Sequence, residues 1–160
     1  MTVKQEEDKT LKERSYLLLL PLITLSATVW FTPTKMGVYL AFIFSTYLFF
    51  LGFLFSSYLW TINKRIKNKH LRSFSLKVFF ICLIGIIYSV NYLSINSLIP
   101  LSLLLIYFLN SRNKYSELFP LWLRSFSYKI GVIIFICLMN ILAFWFNPYS
   151  QPIKFYLNEF

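Results

Sequence analysis

The stretch MGVYLAFIFSTYLFFLGFLFSSYLWTIN, residues 36–63, holds no Asp, Glu, Lys, Arg or His. A helix needs about 20 apolar residues to cross ~30 Å of hydrocarbon, and this run exceeds that. It lacks the strict polar/apolar alternation of a barrel strand. A helix is then the structure that satisfies its own backbone in lipid. Charge is likewise absent from residues 15–34, 78–111 and 130–153.

Composition points the same way. The 160-residue chain is 58% hydrophobic, 21% aromatic and 14% charged. Soluble domains are about one-quarter charged, because a wet surface must be covered with ionisable groups. The few charges are also clustered, so they cannot coat a soluble globule. Residues 78–111 are too many for one span, and the polar run Asn91-Tyr92-Leu93-Ser94-Ile95-Asn96 breaks them into two. Five helices are expected, near 16–31, 36–62, 76–92, 95–109 and 130–146. The fourth is short and carries Pro100 early, so a re-entrant segment would reduce the crossings to four. The expected fold is thus an all-α integral membrane protein, a bundle of about five hydrophobic helices. A charged cytoplasmic tail (1–14), a transmembrane domain (15–147) and an outer tail (148–160) follow.

Orientation is read from the basic residues. With the N-terminus inside and five crossings, the inner side carries Lys4, Lys9, Lys12 and Arg14, then Lys64, Arg65, Lys67, Lys69, Arg72 and Lys77, then Arg112, Lys114, Arg124 and Lys129. Only Lys35 and Lys154 fall outside. Short basic loops resist translocation, so this bias sets the topology. The densest cluster, TINKRIKNKHLR at 61–72, is accordingly an orientation signal. Attraction to anionic lipid head groups is a compatible second role for Lys64, Arg65, Lys67, Lys69 and Arg72. Nucleic-acid binding is not expected, since the loop is too short for base-stacking platforms beside its charges.

The N-terminal MTVKQEEDKTLKER mixes both signs, with no small-x-small cleavage site after the following leucines, so the first helix is expected to stay attached. LFPLWLRSFSYK, residues 118–129, sets Phe119, Trp122, Leu123 and Phe126 at helical spacing; it reads as an interfacial amphipathic helix or as an extension of the last span. PYSQPIKFYLNEF, with two prolines, is expected to be an irregular outer cap.

Catalytic and metal constellations need converging nucleophiles, bases or ligands. The single histidine, His70, lies in the basic loop with no second His or Cys near it in sequence. Glu6, Glu7, Asp8, Glu13, Glu117 and Glu159 lie in tails or loops. The apolar runs hold no ionisable side chain of the kind that proton relays and cation carriers use. Cys82 and Cys137 sit at similar depth and are read as buried reduced thiols. No enzyme activity, cofactor or metal is expected.

What the helices do carry is small-residue patterning. Ala41, Ser45, Gly52 and Ser56, with Leu48 among them, share one face of the second helix, and Cys82, Gly85 and Ser89 share one face of the third. Lipid gives no hydrophobic gain to helix association, so close approach over small residues and interhelical hydrogen bonds must supply it. Asn140, deep in the last helix, needs a partner on another helix. The expected function is an accessory, scaffold or anchoring subunit at a bacterial-type cytoplasmic membrane. Its partners would be the bilayer, other membrane or cytoplasmic subunits, or further copies of itself. A homo-oligomeric channel, a membrane-perturbing effector (a toxin or phage-defence component), or an immunity protein against a pore-forming toxin are the alternatives.

Overall fold

A computed structural model of the chain describes residues 3–89, 94–111, 121–149 and 151–159. These residues are helical, joined by short turns. The helices are α1 (Val3–Thr28), α2 (Thr34–Ile66), α3 (Lys69–Ile87), α4 (Ser94–Asn110), α5 (Leu121–Trp145) and α6 (Pro152–Glu159). Three segments are long and apolar enough to cross a membrane: Thr34–Lys64, Lys69–Ile87 and Phe126–Trp145. Tyr16–Thr28 and Ile95–Asn110 are shorter apolar helical segments.

Several boundaries differ from those read off the sequence. α1 includes residues from Val3 onward, so from there the charged segment continues into the apolar helix without a break. α5 is continuous from Leu121, so residues 121–129 extend the last span and do not form a separate interfacial helix. Residues 118–120 of that segment lie outside the described residues, as do Asn91–Leu93 of the expected break, Arg112, Lys114 and Glu117. The C-terminal segment is helical instead of irregular. Pro152 opens α6 at the position where its missing N–H costs nothing and its fixed φ suits a helix.

The helices alternate in direction. At one end, Tyr16 of α1 meets Phe126 of α5 edge-on at 5.1 Å, and Phe108 of α4 contacts both Phe74 of α3 and Phe55 of α2. At the other end, Phe144 and Trp145 of α5 pack on Trp30 and Phe42. α2 and α3 form the most extensive pair; α1 packs on α2 and α5, and α4 on α3 and α5. α6 folds back against α2 and α5.

Candidate functional site

The α2–α3 hairpin brings most of the small residues singled out in the sequence to one seam. Descending it, Phe49 lies over Gly85, Gly52 faces Cys82, Phe53 packs on Phe79 with tilted rings 5.1 Å apart, and Ser56 meets Ser75. From pair to pair the positions advance by three, one and three residues along α2 while they retreat by three, three and four along α3, the opposite running of two antiparallel helices in contact. The glycines are required by what sits opposite. A Cβ on Gly85 would run into the fully buried Phe49 ring, and one on Gly52 would collide with Cys82 Sγ.

Ser56 and Ser75 are tied reciprocally. Ser56 Oγ donates to Ser75 O at 2.8 Å, Ser75 Oγ to Ser56 O at 3.0 Å, and the hydroxyl oxygens lie 3.2 Å apart. Both are buried. Ser75 was not singled out, although it precedes Cys82 by seven residues and so extends the Cys82, Gly85, Ser89 face by two turns. Ala41 and Ser45 are fully buried, but Ser45 Oγ returns to Ala41 O within its own helix. Ser89, also buried, donates to Ile86 O. Cys82 and Cys137 are both buried free thiols. They sit on helices that both pack on α4 but otherwise differ in partner, α3 lying against α2 and α5 against α1.

Asn140 does a specific job. At the end of α1, Val29 N–H donates to Leu25 O, Trp30 N–H to Ala27 O and Phe31 N–H to Thr28 O. This run skips Ser26 O, one of the carbonyls a helix C-terminus leaves without an intrahelical donor. Asn140 Nδ2 donates to it at 2.7 Å. A backbone acceptor leaves no sequence signature, so only the fold identifies this partner. Near the other end of the apolar part of α1, Tyr47 Oη donates to Leu18 O at 2.8 Å, three residues before Pro21.

Between the five longer helices lies an apolar cavity of about 260 Å³, bordered by Gly52, Tyr58, Phe74, Phe108, Ser127 and Gly131 among others. Gly52 and Gly131 lie in its wall, but a Cβ on either would meet a neighbouring side chain, Cys82 or Leu109. Among the described residues, no three His, Cys, Asp or Glu side chains gather as a metal would need.

The second feature is the basic turn. α2 ends on Lys67, which adopts the left-handed conformation (φ 53°) and donates its N–H to Asn63 O. Asn68 starts α3; its Oδ1 accepts from His70 N–H at 2.9 Å and Leu71 N–H at 3.2 Å. Lys64, Lys67, Lys69 and Arg72 border an open pocket here, and Arg72 Cζ lies 5.7 Å from the Trp60 ring centroid. Arg65 belongs to the same turn of α2. His70 is exposed on the first turn of α3. No protein-family model matches the chain, and no curated protein or solved structure is significantly similar to it.

Proposed function

We propose that this chain is a five-span integral membrane protein that acts as a non-catalytic scaffold or anchoring subunit. It would sit in a bacterial-type cytoplasmic membrane, with its N-terminus inside and its C-terminus outside. The observation that carries this reading is where its polar groups are used. Ser56, Ser75, Asn140 and Tyr47, which lie within otherwise apolar helices, bond neighbouring helices to one another. In hydrocarbon such bonds hold a bundle together where the hydrophobic effect cannot. Large apolar side chains face outward on every long helix, among them Leu17, Phe50, Phe80, Leu103 and Ile136. A helix apolar on all sides belongs in lipid or against another apolar helix.

Purification of the full chain from its native membrane in mild detergent, followed by mass measurement of the intact particle, tests the role. A stable complex with other subunits is the expected result. A closed homo-oligomer that conducts ions in liposomes would replace the scaffold reading with a channel.

A further inference from the structure

The pocket at the α2–α3 turn has a volume of about 540 Å³, and among the described residues its lining gathers four side-chain cations, Lys64, Lys67, Lys69 and Arg72, and no carboxylate. Like charges held together repel, so the cluster is relieved when an anion enters. Trp60 restrains one of the four, because the Arg72 guanidinium sits over its ring. Lys67 occupies the left-handed helix-ending position at which glycine is the common residue. Keeping a lysine there holds a charged side chain at the pocket at the expense of backbone strain.

Asn63 adds a different requirement. It lines the same pocket, and its Oδ1 is buried without a hydrogen-bond partner. An unmatched buried acceptor calls for a donor. A bare phosphodiester offers only acceptors, so it would satisfy the cations and leave Asn63 unmet. The start of α3 is already capped by Asn68 and contributes no free anion site of its own.

We propose that this pocket binds the head group of an anionic, hydroxyl-bearing phospholipid of the phosphatidylglycerol type. The four cations take the phosphodiester, and Asn63 Oδ1 accepts a head-group hydroxyl. The inference rests on the membrane-spanning reading, which sets the end of α2 at the inner head-group layer. A soluble glycerol phosphate carries the same chemistry, and the experiment separates the two sources.

The full chain in an uncharged detergent is titrated with phosphatidylglycerol, phosphatidylmethanol and phosphatidylcholine, and bound lipid is counted by native mass spectrometry. Phosphatidylglycerol is expected to bind tightest, with phosphatidylmethanol, a phosphodiester of the same charge, behind it for want of the hydroxyl. Lys67→Gly removes one cation while placing the favoured residue at the left-handed position. It should weaken phosphatidylglycerol binding about fivefold without lowering the unfolding temperature. Asn63→Leu should erase the preference for phosphatidylglycerol over phosphatidylmethanol. The double variant Lys35→Gln/Lys154→Gln removes two charges outside the pocket and should leave binding intact.

Equal weakening by that control and by Lys67→Gly would overturn the site in favour of diffuse charge. Displacement of the lipid by glycerol phosphate at matched concentration would reassign the pocket to a soluble ester. Displacement by an RNA oligonucleotide at matched charge would likewise overturn the proposal. Alkaline carbonate extraction keeps the two readings apart. A chain washed out of membranes refutes the spanning topology, whereas one that stays and shows no head-group preference refutes only the pocket.

Discussion

Gly52, Gly85 and Asn140 show how much one residue decides. Gly85 faces the buried Phe49 ring, so Gly85→Ala has nowhere to put its Cβ unless the helices part. Overpacking of this kind costs ~1–3 kcal/mol, and Gly52→Leu, which must displace Cys82, belongs at the upper end of that range. Thermal unfolding in detergent should register both as clear losses. Phe53→Leu shortens a side chain whose ring packs at a tilt on Phe79 and should cost less than Gly52→Leu. Equal tolerance of Gly52→Leu and Phe53→Leu would show that the seam is not closely packed. Asn140→Leu strands Ser26 O and is expected to cost about 1 kcal/mol, between the average interhelical polar contact and a fully orphaned carbonyl. Assembly should survive it. Liposome flux that is present in the wild type and lost in this variant would instead assign Asn140 to a water-filled path.

At the scale of the element, the α2–α3 hairpin is the unit on which the bundle is built. α2, at 33 residues, is about 50 Å long and exceeds the hydrocarbon thickness by several turns. The excess carries Trp60, Lys64 and Arg65 toward the basic turn. The Ser56–Ser75 pair lies between that turn and the glycine seam, and each hydroxyl needs the other helix. In a double-mutant cycle, Ser56→Ala and Ser75→Ala should show a coupling of ~0.5–2 kcal/mol, because either single change already breaks the reciprocal arrangement. Additive losses would mean that the two serines act independently. The patterning of 41, 45, 52 and 56 and of 82, 85 and 89 was legible in the sequence because small residues at helical spacing stand out among Phe and Leu. Which residue faces which was not. Pairing Gly52 with Cys82 and Phe49 with Gly85 needs the register of the hairpin, which the two-residue turn at Lys67–Asn68 sets.

For the whole molecule, the proposed topology predicts that the two ends of the bundle lie on opposite sides of the bilayer. Single cysteines at Lys67 and at Lys154 should label with an impermeant thiol reagent from the inner and the outer face respectively. Cys82 and Cys137 are buried and should contribute little background. Labelling of both positions from the same side would remove one crossing, and α4 is the element to lose it, being the shortest of the three long helices between them and holding Pro100.

The sequence alone determined the helical character, the number of apolar segments and the basic bias between loops, because each follows from local composition measured against the thickness and charge aversion of hydrocarbon. It also marked the small-residue faces and the basic turn. Tertiary structure decided what those features meet. Asn140 finds a backbone carbonyl at the frayed end of α1, Asn63 ends in the cationic pocket with an unmatched oxygen, and the C-terminal segment becomes a helix folded onto α2 and α5. These outcomes depend on which carbonyls a helix end leaves open and on how two long helices register. Both are set by contacts between residues far apart in the chain, and no local pattern encodes them.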